Sequence, residues 1–135
     1  MGNRRKGREA ALQLLFLRDL SGDYTERIGV NFWEENPTDD ETRDFAQRLL
    51  QGTLAHLTAI DDCVAKSSAH WKLHRMAAVD RNVLRLAIFE LNHCPDIPVK
   101  VTLNEAIEIA KKFGSEESGA FVNGILDQIA KTVKK

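Results

Sequence analysis

The segment Ala78–Leu91 has the most continuous apolar pattern in the chain. Its apolar side chains cover more than half of a helical wheel, which is typical of a helix enclosed by other helices. A polar strip on the same wheel holds Arg81, Asn82, Arg85 and Asn92. Asp80 and Glu90 fall inside the apolar arc. Because an unpaired buried charge is strongly unfavourable, we expect Glu90 to form a core salt bridge. Asp80, near the helix start, is expected to cap the helix or to contact a partner protein.

The same periodicity predicts further helices before this segment. A first helix begins near Asn3, a good N-cap, runs to about Leu20 and is ended by Gly22. Tyr24–Trp33 is either a short helix or an irregular connection. A long amphipathic helix is predicted over Asp39–Ser67, with a bend at Gly52. No stretch alternates with the period of two that a half-buried strand requires.

After the central segment, Pro95 and Pro98 stop the helix and turn the chain. Residues 102–105 fit a capping box, which predicts that the next helix opens there. Gly114 is placed to end it, and Ser115 is placed to start the last helix. The pattern therefore predicts an all-α protein, and a length of 135 residues favours one domain spanning residues 1–135.

The composition excludes several classes of protein. A hydrophobic content of 43% and a charged content of 29% are ordinary for a soluble globular protein. No apolar run approaches the length of a membrane span, and the N-terminus lacks the apolar region of a signal peptide. Cys63 and Cys94 form no CxxC pair, which favours a reduced, cytoplasmic setting.

The charges are unevenly distributed although the formal net charge is only −1. Both ends of the chain are basic, with Arg4, Arg5, Lys6 and Arg8 at the start and Lys131, Lys134 and Lys135 at the close. Cations in the first turns of a helix oppose its dipole, so helix stability does not explain the first group. Two interpretations remain open: a phosphate contact aided by free backbone N–H groups, or a solvated basic terminus.

Two smaller features also have alternative interpretations. Phe121 lies beside the apolar stripe of the last helix, so it is either a stacking platform for an unpaired base or an edge-of-core residue. His70 and His74 have the i, i+4 spacing of a metal pair, but the sequence fixes no third ligand, and zinc needs three or four. We therefore expect no metal site.

No catalytic pattern is present. The chain has no P-loop, no GxGxxG and no GxSxG motif. Asp80 and Glu90 would lie about 15 Å apart along a helix, too far for a paired-carboxylate site. The sequence predicts a protein that is not an enzyme and that uses no cofactor.

Three stretches, RRKGREAALQLLF, VDRNVLRLAIFEL and IPVKVTLNEAIEIAKKFGSEESGAFVNGILDQI, together resemble the bacterial NusB family of transcription antitermination factors. Residues 21–70 match this family only in length and helical pattern. The resemblance implies a compact all-helical fold of about seven helices, arranged as two small helical bundles packed together.

The resemblance also implies a function. The family binds single-stranded boxA RNA in ribosomal RNA transcripts as a heterodimer with NusE, a small-subunit ribosomal protein. The pair acts in the RNA polymerase antitermination complex, and no reaction is catalysed. The resemblance leaves open whether the protein also forms a homodimer. The alternative is a NusB-like RNA-binding domain that precedes the catalytic part of an rRNA cytosine methyltransferase.

Matching the family motifs position by position places a set of residues beside the RNA: Arg4, Arg5, Arg8, Gln13, Glu117 and Phe121. The arginines would supply a salt-dependent phosphate contact, and flat side chains would stack on unpaired bases. Such a small basic patch is expected to bind RNA weakly alone and better with NusE.

The resemblance places Phe16 and Asp80 at the NusE contact. Both depart from the family pattern, which often has Tyr at the first position and usually Glu at the second. Gly7 interrupts the arginine motif where alanine would favour helix, so the first turn is expected to become ordered on RNA binding.

Overall fold

A computed structural model describes residues 2–68 and 72–135. Within these ranges the chain forms seven α-helices: α1 (Gly2–Ser21), α2 (Glu26–Glu35), α3 (Asp40–Ala55), α4 (Leu57–Ser67), α5 (Ala78–His93), α6 (Val99–Phe113) and α7 (Glu116–Ala130). A short 3-10 helix, Leu73–Arg75, precedes α5. The described residues include no strand, and the predicted all-α fold of about seven helices is confirmed.

Helix α5 lies at the centre of the fold, as its apolar pattern predicts. It packs against five other helices: α1, α3, α4, α6 and α7. Residues 82–91 of α5 are all buried. The most extensive pairings besides these are α1 with α3 and α6 with α7. Helix α5 thus joins two groups of helices into one core.

Helix α1 runs antiparallel to α5 and in the same direction as α6. Near its start, Arg8 bonds to Glu90 at the end of α5, and near its end Asp19 bonds to Arg81 at the start of α5. Along α6, Arg5 pairs with Glu105, and one turn later Glu9 pairs with Lys112. These contacts place both ends of α1 against defined parts of the C-terminal half.

Two predicted features of the N-terminal half are wrong. Asn3 lies inside α1 and is not its N-cap, because the helix already includes Gly2. The segment predicted as one helix is two, and it breaks at His56 rather than at Gly52. Gly52 instead makes room for a neighbour, since a Cβ there would overlap the ring of Phe89. The glycine therefore reflects close packing of α3 on α5 and not a bend.

The capping box predicted at residues 102–105 is also wrong. Helix α6 begins at Val99, and Thr102 is buried in its first turn. The Thr102 hydroxyl donates to Oε1 of Glu90 at 2.9 Å. The Thr102 hydroxyl therefore pairs with a buried carboxylate and does not cap the helix.

Other predicted boundaries are confirmed. Gly22, with φ of 85°, follows the end of α1. The N–H of Gly114 bonds to Ala110 O at the end of α6, and Ser115 Oγ accepts from Ser118 N at the start of α7. His70 and Trp71 lie outside the described residues. None of the described helices is long and apolar enough to cross a membrane.

Candidate nucleic-acid interface

Arg8 and Glu90 form a buried ion pair between α1 and α5. Arg8 Nε and Nη2 donate to the two Glu90 oxygens at 2.8 and 2.9 Å. The Arg8 and Glu90 side chains are 5% and 3% exposed, respectively. The core salt bridge predicted for Glu90 is confirmed, and its partner is an arginine of the predicted RNA motif. The Arg8 guanidinium is turned into the core rather than toward solvent.

Arg5 forms a similar ion pair with Glu105 nearer the protein surface. Its Nε and Nη2 donate to the two Glu105 oxygens at 2.5 Å each. The hydrogen bond raises the pKa of Arg5, and in return it holds the pKa of Glu105 below its ordinary value. The Arg5 side chain is 42% exposed. Part of its guanidinium therefore remains open to solvent while the carboxylate fixes its orientation.

Arg4 is the most open of the three predicted arginines. Its side chain is 49% exposed and lies 3.8 Å from Asp96. Its guanidinium carbon sits 4.6 Å from the centre of the Phe45 ring, within cation–π range. Lys6 is exposed on the same turn. A groove beside this turn is lined by Asn3, Arg4, Arg5, Arg8, Glu41, Val101 and Glu105.

Gly7 has a packing role in this region. A Cβ at this position would lie 2.8 Å from Phe45 Cδ2 and 3.3 Å from Thr42 O. The glycine lets α1 approach α3 closely, which brings the Phe45 ring under the Arg4 guanidinium. Helix α1 begins at Gly2, and the expected RNA-dependent ordering of its first turn stays a prediction.

Gln13 and Phe16 lie further along α1. The Gln13 amide donates to Glu9 O at 3.3 Å. Both side chains line a second groove, which is mostly apolar and also includes Leu12, Leu17, Phe32, Glu35, Asn36, Val79 and Phe113. Phe16 is 36% exposed, so a large aromatic ring lies at the rim of an apolar groove. The structure thus places a predicted RNA residue next to a predicted partner residue.

Asp80, Glu117 and Phe121 meet in a cleft at the other end of α5. The cleft is also lined by Arg75, Met76, Ala77, Ser115 and Ser118. Asp80 does not cap α5, whose N-cap position is Ala77. Its Oδ1 is buried, and within the described residues it has no hydrogen-bond partner. Glu117 is exposed, whereas Phe121 is partly buried against the core.

The predicted RNA residues therefore divide between two places. Arg4, Arg5 and Arg8 surround the end of α5 that carries Glu90, and the Phe121 cleft lies at its start. The two places are separated by about 15 Å along α5. Gln13 lies between them on α1. A ligand that touches all of these residues must be extended.

A partly buried polar network ties α1 and α4 to the polar strip of α5. Asp19 Oδ2 accepts from Arg81 at 2.9 Å and from Asn82 at 3.0 Å. Arg85 reaches both Asp19 and Asp61. Burial alone would raise the pKa of Asp19, but the hydrogen bonds from Asn82 and Arg81 and the charge of Arg85 lower it overall. The helical pattern predicted the polar strip that carries the donors. It contained no signal for the acceptors, Asp19 and Asp61, because they are distant in the chain.

Of the histidine pair, only His74 falls within the described residues. No group of three or more His, Cys, Asp or Glu side chains there is placed to hold an ion. His74 is exposed.

Comparison with known proteins identifies the fold. A model of the NusB family matches residues 5–131. The transcription antitermination protein NusB of Sorangium cellulosum is 50% identical over 133 residues, covering 98% of this chain and 95% of the relative. A structure of T. maritima NusB superposes with a TM-score of 0.89 at 44% identity, covering 98% and 93% of the two chains.

A second similar structure contains a partner and a nucleic acid. It shows the antitermination factors NusB and NusE in complex with double-stranded RNA, and its matching chain has a TM-score of 0.88 and 28% identity. The match covers 97% of this chain and 98% of that one. The chain therefore belongs to the NusB family, whose members are transcription antitermination factors rather than enzymes.

Proposed function

We propose that this protein binds single-stranded boxA RNA of ribosomal RNA transcripts together with NusE. In this proposal it acts in the cytoplasm as part of the RNA polymerase antitermination complex. One observation carries the RNA contact: Arg4 and Lys6 are exposed on a first turn that Arg5 and Arg8 anchor to the rest of the fold. The NusB–NusE structure with RNA supports the choice of partners.

The first turn of α1 has the chemistry of a phosphate site. The first backbone N–H groups of a helix have no intrahelical partners and favour anions. The Phe45 ring supports the Arg4 guanidinium from below, which limits the freedom that the side chain loses on binding. An exposed cation that contacts phosphate displaces counterions, so the resulting affinity depends on salt.

Arg5 and Arg8 have different roles in this proposal. An arginine has five N–H donors. Arg5 donates to Glu105 through Nε and Nη2, and its side chain stays partly exposed. It can therefore hold a phosphate as well as its carboxylate. Arg8 is enclosed with Glu90, so it acts as a positioning residue that fixes α1 and thereby the exposed cations.

The groove around Phe16 and the carboxylate of Asp80 are the proposed contacts with NusE. An exposed aromatic ring beside an apolar groove is the type of feature that becomes an anchor in protein interfaces. Asp80 Oδ1 is buried and accepts no hydrogen bond from the described residues. An unpaired buried acceptor is unfavourable, and a partner that entered the cleft and donated a hydrogen bond to this oxygen would remove that cost.

The test is fluorescence anisotropy with labelled boxA RNA and a scrambled RNA of equal length, with and without NusE, at two salt concentrations. We expect preference for boxA, and a higher affinity when NusE is present. Equal, weak and salt-sensitive binding to both RNAs would mean that the basic terminus is only an electrostatic tail. Unchanged boxA affinity on adding NusE would refute the cooperative part.

A pair of variants sharpens this test. Arg4→Ala with Lys6→Ala should weaken boxA binding and reduce the slope of log K against log salt by about 0.7 for each lost phosphate contact. Lys66→Ala, which removes an exposed cation from α4, is the matched control and should leave both quantities unchanged. An equal effect of both changes would contradict a localised phosphate site.

The methyltransferase-domain alternative gains no support from the comparisons. The Sorangium cellulosum relative is covered over 95% of its own length, which leaves no room in that protein for a catalytic domain.

A further inference from the structure

Two histidines stack against each other at the C-terminal end of α5. The rings of His56, at the α3–α4 junction, and His93 have centroids 3.9 Å apart and planes inclined by 14°. Both residues are exposed. The buried Phe89 ring lies 5.4 Å from His93 and 25° from parallel to it. The result is a flat aromatic surface at the edge of the core, here called the histidine platform (His56 and His93).

The geometry of the platform suits stacking and not metal binding. The nitrogen lone pairs of imidazole lie in the ring plane. Because the two rings are stacked with nearly parallel planes and centroids 3.9 Å apart, their in-plane lone pairs do not converge on one ion. Partial burial and the neighbouring His56 lower the pKa of His93, which favours the neutral form of that ring. Flat aromatic side chains at exposed positions are the groups on which unpaired bases stack.

Cations from both ends of the chain surround this end of α5. Arg48 donates two hydrogen bonds to Asp96, three residues beyond His93, and Arg4 lies 3.8 Å from the same carboxylate. Lys135 Nζ donates to Glu90 O and Cys94 O at 3.0 and 2.9 Å. One residue from each basic end of the chain, Arg4 and Lys135, thus lies at the end of α5 that carries His93.

We propose that an unpaired nucleobase stacks on the histidine platform while Arg48 and Arg4 contact the phosphates of the same RNA strand. A basic surface with an exposed aromatic platform is the combination that single-stranded RNA requires. Arg4 belongs to both this surface and the N-terminal phosphate site, so the platform continues the RNA path around α3. It lies about 20 Å along α5 from the Phe121 cleft. This inference rests on the proposed function for the identity of the RNA.

The test uses the full-length protein and two labelled RNAs, boxA with unpaired flanking nucleotides and an unstructured oligouridine. His56→Gln and His93→Gln remove a flat ring and keep a polar side chain. Each should weaken binding of both RNAs by about fivefold or more. His93→Phe keeps a flat ring and should retain the affinity. His74→Gln changes an exposed histidine in the short 3-10 helix and should have no effect.

Salt dependence separates stacking from charge. The His→Gln variants should leave the slope of log K against log salt unchanged, whereas Arg48→Gln should reduce it by about 0.7. Wild-type affinity in both His→Gln variants would overturn the platform, even if boxA preference stands. Loss of NusE binding with unchanged RNA affinity would also overturn it, by showing a protein surface. If the His→Gln variants bind oligouridine more weakly and the wild type shows no boxA preference, the platform is supported and only the boxA proposal is refuted.

Discussion

The guanidinium of Arg8 is bonded through two nitrogens to both carboxylate oxygens of Glu90, and this pair is enclosed between α1 and α5. Thr102 adds a third donor to the same carboxylate. The pair joins a residue of the family's arginine motif to the central helix. In the proposed RNA contact, Arg8 therefore acts by holding the helix that presents Arg4, Arg5 and Lys6.

Breaking this pair from one side should be severely destabilising. Arg8→Met leaves the Glu90 carboxylate buried without its cation, and we expect the free energy of unfolding in urea to fall by about 3–5 kcal/mol. Combining Arg8→Met with Glu90→Leu removes both charges and should recover most of that loss. If the double variant is no more stable than the single one, the loss comes from packing and not from the unpaired charge.

Acid should destabilise the fold through Asp19. Its pKa in the folded protein is lowered from the ordinary value of 3.8, although burial alone would raise it, because Asn82, Arg81 and Arg85 bind the charged form. A lowered folded-state pKa stabilises the fold above the unfolded value, and this stability is lost as pH falls through the folded value. Asp96 acts in the same direction, since its hydrogen bonds with Arg48 lower its pKa from 3.8 to about 2.

We therefore expect the free energy of unfolding to decrease as pH falls from about 4 toward 2. Urea titrations across this range measure it. Asp19→Asn should be less stable at pH 7, because Arg81 and Arg85 lose their shared anion, and its stability should decline less steeply in acid. An identical acid limb in the variant and the wild type would show that Asp19 does not contribute.

Two helical glycines should respond in opposite ways to alanine. A Cβ at Gly52 would overlap the buried Phe89 ring, so Gly52→Ala should destabilise the protein by about 1–3 kcal/mol. A Cβ at Gly124 in α7 meets no atom of the described residues within 4 Å. Gly124→Ala should therefore stabilise the protein by about 0.5–1 kcal/mol through helix propensity. Thermal unfolding of both variants gives the signs directly.

Phe16→Ala should weaken NusE binding by about tenfold, which is about 1.4 kcal/mol. The ring lies at the rim of an apolar groove and is 36% exposed, so its loss should leave the fold intact. Leu20→Ala is the matched control on the same helix, because Leu20 is 70% exposed and lies outside that groove. Titration calorimetry with NusE measures both, and equal losses would remove the groove from the interface.

Local signals in the sequence were sufficient for the fold class and for several helix ends. Gly22, Gly114 and Ser115 act through their own backbone or side chain, so each could be placed from the sequence. The break at His56 and the start of α6 at Val99 could not. The amphipathic pattern continues through the break at His56. At the start of α6, the Thr102 hydroxyl bonds to Glu90 and does not cap its own helix.

The candidate site was predictable in its residue types but not in its pairings. The basic first turn is visible in the sequence, whereas the partner of Arg8 lies 82 residues away. No periodic pattern records such a contact. For the same reason the meeting of Arg4 and Lys135 at one end of α5, and the stacking of His56 on His93, emerged only from the tertiary structure.

The ion pairs at the two ends of α1 also fix its register against α5. Arg8 is bonded to Glu90 at one end, and Asp19 is bonded to Arg81 at the other. A slide of one helical turn, about 5.4 Å, would separate both pairs at once and leave several buried charges uncompensated. Helices α1 and α5 should therefore move as one rigid body. A ligand that needs a different position of Arg4 must unwind the first turn of α1 rather than shift the helix.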